Sequence, residues 1–139
     1  MKTFQTTLTF DTPNRGTFNI TDEVNRVVAE SQITTGLCHV FCQHTSASLI
    51  ITENADPTVR VDIENWLQKH IADGDLDFQH RDEGDDDMSG HLRSLLTETS
   101  HTLPVSHGRL NLGTWQGLFL YEHRTGEFHR NVVITLQGS

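Results

Sequence analysis

From Leu103 to the C-terminus the chain is written almost wholly as strands, and that run decides the fold class. HTLPV, GRLNLG and TWQGLFLYEHR follow one another, a Thr125-Gly126 turn intervenes, and EFHRNVVITLQG closes the sequence. β-Branched and aromatic runs separated by glycine are the mark of successive short strands. The preceding residues are mixed. KTFQTTLTF alternates, with Phe4, Leu8 and Phe10 on one parity, which predicts a half-buried strand. After a turn at Asp11–Gly16 and a short strand at Thr17–Ile20, Thr21 is placed to cap a helix. Its first turn holds Asp22 and Glu23, and Val24, Val27 and Val28 form its apolar stripe. GLCHVFCQH, starting at Gly36, is apolar on both parities and predicts a strand buried on both faces. Thr45-Ser46-Ala47 interrupts it before a further strand at Ser48–Thr52. Asp56-Pro57 is a strong helix start, a capping carboxylate followed by a residue preset for the first helical position. Val59, Ile63, Trp66, Leu67, His70 and Ile71 mark one face of that helix. A shorter helix over Met88–Thr99 would turn Leu92, Leu95 and Leu96 inward. Strands, two to three helices and a closing run of strands predict a single α+β domain, an antiparallel or mixed β-sandwich flanked by helices.

Charge restricts the partners. The net charge of −9 is concentrated, since residues 73–87 hold eight acidic side chains and one basic one, and the remainder is close to neutral. No cluster of Lys or Arg offers a face to a phosphate backbone, so nucleic acid is excluded as an expected partner. No apolar run approaches the length of a membrane span. MKTFQTTLTF lacks the apolar core of a signal peptide and reads as mature sequence. Cys38 and Cys42 lie four apart on one predicted strand, about 13 Å along it, which is beyond disulfide reach. Reduced thiols and a cytoplasmic location are therefore expected.

The acidic stretch carries the densest chemistry. His80-Arg-Asp-Glu-Gly-Asp-Asp-Asp-Met-Ser-Gly-His91 packs two imidazoles and five carboxylates into twelve residues. Asp73-Gly-Asp75-Leu-Asp77 begins like a calcium-binding loop, but Phe78 stands where glycine is required and Gly84 where glutamate is. Asp73–Asp77 and Asp85 are expected to be solvated surface. His80 and His91 are not explained by a charge run. With a carboxylate between them and one more histidine from elsewhere, they would make a metal site with an open position. A second polar stretch, Gln43-His44-Thr45-Ser46-Ala47-Ser48, sits at a strand break and could hold a phosphate or carboxylate through hydroxyls and backbone N–H groups. It lacks the G-x-S-x-G elbow of a serine nucleophile. Glycines bracketing Trp115 in GRLNLGTWQG suggest close backbone approach.

HTSASL, ENADPTVRVD, EGDDDM followed by His91, and GRLNLGTWQG with EHR together resemble the YjbQ family over residues 3–138. The resemblance implies a small α+β sandwich that assembles as a homotrimer, described as a secondary thiamine-phosphate synthase. The family's polar motif positions fall here on His44, Thr45, Ser46, Glu53, Asn54, Asp56, Asp62, His80, Asp86, His91, Thr114, Trp115, Gln116, Glu122 and Arg130. Ser89 departs from the pattern, which commonly has proline there, and should alter the rigidity of the loop. The implied reaction joins a hydroxymethylpyrimidine pyrophosphate to a thiazole phosphate and releases pyrophosphate, so charge builds on the leaving group. That chemistry calls for a divalent cation, whether zinc, magnesium or manganese. His44, His80, Asp86 and His91 are its expected ligands, and Arg124 or Arg130 would help hold phosphate. His44, Glu53, Glu122 and Arg130 are the catalytic candidates, Glu53 and Glu122 as orienting groups or general base. Thr45, Ser46, Asn54, Thr114, Trp115, Gln116 and Arg124 are the substrate-binding ones. The same ligand set would equally serve a metal-assisted hydrolase of a phosphorylated small molecule, or a trimeric binding module without catalysis.

Overall fold

A computed structural model describes all residues, Met1–Ser139. The element order is β1 (Lys2–Thr12), β2 (Gly16–Asn19), α1 (Thr21–Ser31), β3 (Gly36–Cys42), β4 (Ala47–Glu53), α2 (Pro57–His70), α3 (Asp85–Leu96), β5 (Ser100–Ser106), β6 (Arg109–Leu110), β7 (Gln116–Glu122) and β8 (Phe128–Gly138). Two sheets form, one of five strands in the order β1-β8-β3-β5-β6 and one of three in the order β2-β7-β4. Every strand pair is antiparallel. Alternate residues of both sheets meet in a shared core, with Cys38, Val40, Val132, Ile134 and Leu136 from the larger and Leu49, Leu118 and Leu120 from the smaller. Val24, Val27 and Val28 of α1 are buried in the same core. The other face of the small sheet is covered by α2 and α3, where Leu67 and Ile71 pack with Tyr121, Ile50 and Leu92.

The end of β8 crosses the start of β3 so closely that glycine is required. A Cβ on Gly36 would lie 2.1 Å from the Gln137 carbonyl oxygen, and one on Gly138 would lie 2.1 Å from that of Thr35.

Asp56 caps α2 as expected, accepting from the Thr58 N–H at 2.9 Å and the Thr58 hydroxyl at 2.6 Å. Asp56→Ala is expected to lower Tm by a few degrees while Asp56→Asn largely preserves it, because the asparagine side chain can accept the same bonds. A thermal melt of the two variants checks this.

Four expectations are corrected. Thr21 does not cap α1: its hydroxyl accepts from the Leu118 N–H, and Asn19 Oδ1 takes the Thr21 N–H instead. β3 is buried on one face only, since Leu37 and Phe41 point to solvent from a sheet face that no helix covers. Trp66 lies on the exposed side of α2, stacked on His70 at 4.1 Å. The largest departure is α3, which begins at Asp85 and buries Asp87, Ser89, Gly90, Arg93 and Ser94. Leu95 and Leu96 are instead 79% and 64% exposed. Small residues win the inner face because the helix lies close to the chain below it; a Cβ on Gly90 would come within 3.2 Å of Ser46 Cβ. Arg93 can be buried there because it meets Glu64 with two bonds, at 2.8 and 2.9 Å.

Candidate metal centre

α3 and the loop before it bring three candidate ligands together. Asp87 and His91 are four residues apart, hence neighbours on one helix face, and His80 reaches the same point from the preceding loop. Asp87 Oδ2 lies 2.7 Å from His80 Nε2 and 3.1 Å from His91 Nε2, with the two rings 5.4 Å apart. Three donor atoms, one from each residue, all fall within 4.8 Å of one another. The carboxylate is 5% exposed while His80 is 45% exposed, so the cluster has a buried floor and an open side.

Two neighbours set the electronic state. His91 Nδ1 is 2.9 Å from the Thr45 carbonyl oxygen. A carbonyl only accepts, so Nδ1 donates to it, and Nε2 is the nitrogen turned toward Asp87 and His80. Orientation of a ligating imidazole by a backbone carbonyl is the usual arrangement in metal centres. Burial alone would raise the Asp87 carboxyl, but the bond from His80 and the charges of His91 and Arg124 hold it below the ordinary range. His80 is raised, chiefly by its bond to Asp87. In a tetrahedral zinc shell neighbouring ligand atoms stand roughly 3.3 Å apart. Two imidazole nitrogens and one carboxylate oxygen are donor types that a divalent ion takes, and three of them would leave a position open.

The carboxylate that stands between His80 and His91 is Asp87, not the expected Asp86. One residue along the helix turns it by about 100°. Asp86 Oδ1 accepts from Arg124 at 3.1 Å and Oδ2 from the Thr125 N–H at 2.7 Å. The i, i+4 spacing of Asp87 and His91 was a readable signal, hidden by placing the helix start at Met88. His44 lines the same cleft as His91 but does not join the cluster, because its Nε2 accepts the Asn131 N–H at 2.7 Å. Burial and the Arg130 charge lower its pKa, which keeps the ring neutral.

Glu122 and Arg130 are both buried and bind each other twice, at 2.6 Å each time, with Thr12 and Ser46 completing the set. Neither is exposed to take a proton from substrate or to grip a phosphate; they brace the strands beneath the cleft. Arg124 is also engaged, donating to the Glu83 carbonyl at 2.6 Å and lying 3.4 Å from Asp87 Oδ1. Ser89 donates to Asp73, which itself binds Arg15 at 2.8 and 2.9 Å. The departure from proline thus ties the acidic loop to α3, and Asp73 is anchored rather than freely solvated.

The remaining predicted residues form a separate group. Glu53 accepts the Ala55 and Asp56 N–H groups, Asn54 donates to the Thr114 and Gln116 carbonyls, and Gln116 accepts the Gly113 N–H. Trp115 stands exposed beside them. β4 pairs with β7 so that Ala47 opposes Glu122 and Glu53 opposes Gln116. Six residues of strand, about 20 Å, therefore separate this group from Thr45 and Ser46.

A two-sheet α+β domain with a His–Asp–His cluster on a helix beside the small sheet defines the class. Residues 6–139 match the family described as UPF0047 protein YjbQ-like. The chain belongs to that family. It is 43% identical to the UPF0047 protein YjbQ of Escherichia coli O157:H7, over 97% of this chain and 98% of the other. It is 44% identical to a UPF0047 protein of Synechocystis, over 96% and 91%. Among solved structures, a conserved hypothetical protein from Thermus thermophilus superposes with a TM-score of 0.85 at 35% identity, covering 95% of this chain and 99% of that one.

Proposed function

We propose that the protein is a metal-assisted enzyme acting on a small phosphorylated molecule, with a thiamine-phosphate synthase-like transfer as the reaction. One observation carries the reading: His91 donates from Nδ1 to the Thr45 carbonyl, so its Nε2 is turned toward His80 and Asp87 at the rim of a cleft of about 810 Å³. His80, Asp87 and His91 would hold zinc, magnesium or manganese. A bound ion supplies stabilisation for the negative charge that grows on departing pyrophosphate. Thr45 orients His91, and Arg124 offsets the paired charges of Asp86 and Asp87. With Arg124 and Arg130 both committed to carboxylates, substrate phosphate has to be met at the His–Asp–His cluster and by hydroxyl or backbone N–H donors.

The assembly proposed is a homotrimer. The outward positions of Thr3–Thr9, Leu37–Phe41 and Asn131–Gln137 carry no Asp, Glu, Lys or Arg, the depletion expected of a surface that another copy covers. Free, buried Cys38 and Cys42 suit a reducing, cytoplasmic setting, and no helix is long and apolar enough to cross a membrane.

Protein purified without chelator should contain about one equivalent of divalent metal per chain, and Asp87→Asn should weaken its binding about a hundredfold or more. Supplied with both thiamine precursors, the loaded protein should form thiamine phosphate and pyrophosphate in equal amounts. Phosphate or pyrophosphate released at the same rate without the thiazole partner would replace transfer with hydrolysis. Metal bound tightly with no turnover of either kind would leave a binding module.

A further inference from the structure

His80 is the one candidate ligand that α3 does not carry. The chain leaves α2 at His70 and enters α3 at Asp85, with no helix or strand between them. Both ends of this connection are fixed. Asp73 is held by Arg15 and Ser89, Asp86 by Arg124 and Thr125, and the Gly74 N–H donates to the Asp85 carbonyl at 2.9 Å, tying the neck. Gly74 and Gly84 flank the loop with φ of +65° and +100°, a backbone that glycine takes without strain. Between them, residues 75–83 are all exposed except Phe78, which is half-buried. Their internal bonds are local: Asp75 accepts the Asp77 N–H at its side chain and the Phe78 N–H at its carbonyl. Two hydrogen bonds tie them to the rest of the chain, His80 to Asp87 at 2.7 Å and Arg124 to the Glu83 carbonyl at 2.6 Å. The second lies next to Gly84, so His80 alone holds the tip. A segment with so few bonds and so little buried surface is the kind that opens locally. Charge acts in the same direction. Residues 75–83 carry four carboxylates against Arg81, and the first turn of α3 adds Asp85, Asp86 and Asp87. Like charges push loop and helix apart, and a cation between them draws them together.

We propose that residues 75–83 are a strap that closes on the cluster through His80, and that a divalent ion locks it shut. The strap stands on the geometry of the loop; the lock rests on the metal reading above. Asp87, 5% exposed, and His91, bound to the Thr45 carbonyl, are the fixed half of the site. His80 is the ligand that arrives last and leaves first, so the ion exchanges with solvent when the strap is open.

Chymotrypsin digestion read by mass spectrometry tests both halves, because a cut after Phe78 needs its half-buried ring to turn out of the loop. In metal-free protein, His80→Ala should be cut there about fivefold faster than native, since one bond is lost and cleavage follows the open population. Saturating manganese should slow the cut in native protein roughly tenfold or more. It should not slow the cut in His80→Ala, where calorimetry should find the ion held more weakly, by Asp87 and His91 alone. Equal cutting of the two metal-free proteins overturns the strap. Manganese that binds native protein and leaves the cut unslowed, or that protects His80→Ala as well as native, overturns the lock. So does the same protection from sodium chloride at matched ionic strength, which would reduce the effect to screening. If calorimetry finds no manganese bound to native protein, the metal reading falls, and the metal-free comparison alone decides the strap.

Discussion

Glu122→Gln is expected to destabilise the fold by about 3–5 kcal/mol, the cost of leaving a buried charge without its partner. Arg130 and Glu122 lie in the interior, and the carboxylate is the only charge that answers the guanidinium, through two bonds of 2.6 Å. Thr12 donates to Glu122 Oε1 at 2.6 Å and the Arg124 N–H donates to Oε2 at 3.1 Å, so every lobe of the carboxylate is used. Glutamine keeps the volume and loses the charge, and its amide N–H groups would oppose donors. Urea denaturation should show the loss as a lower midpoint with little change in m. Removing both charges, in Glu122→Gln with Arg130→Met, should recover more than half of it. A single substitution costing under about 1 kcal/mol would mean the pair is solvated in practice and free for chemistry.

The second large effect is a loss of stability as pH falls from about 6.5. His123 is completely buried; burial first, and then the Arg93 charge, push its pKa down to about 3. Its Nε2 lies 2.8 Å from Ser48 Oγ, while Nδ1 is buried without any partner, so a second ring proton would have nothing to bind. Below the ordinary histidine range the unfolded chain takes up a proton that the folded chain refuses. Stability therefore declines between about pH 6.5 and 3, by at most about 1.4 kcal/mol per pH unit from this group. His44 is lowered too and adds to the decline; His80 is raised, so its contribution is already complete below about pH 6.5 and is lost only as pH rises through its folded pKa. Unfolding curves at pH 7, 6 and 5 for the native protein and His123→Gln isolate the term. The gap between them should narrow as pH falls, and parallel curves would show that His123 titrates normally.

What could be read from the residues was whatever depends on near neighbours in the chain. Alternation gave away β1 and the closing strands, Asp56-Pro57 marked the start of α2, and the length and order of HTSASL, EGDDDM and GRLNLGTWQG identified the family. His80 and His91 stood out because charge composition does not account for imidazoles.

Tertiary packing decided the rest. Which aspartate stands between the histidines depends on where α3 begins, and that start is set by Asp86 bonding to Arg124 and Thr125 across 38 and 39 residues of chain. The inner face of α3 went to Gly90, Ser94 and Arg93 rather than to leucines because of a close approach to Ser46 and a distant Glu64, neither visible in the helix's own periodicity. His44, Glu122 and Arg130 carry the residue types of a catalytic site, yet hydrogen bonds from other strands hold them as structure. A local pattern states what a side chain can do; whether its lone pair or charge is still free depends on the partners that folding brings to it.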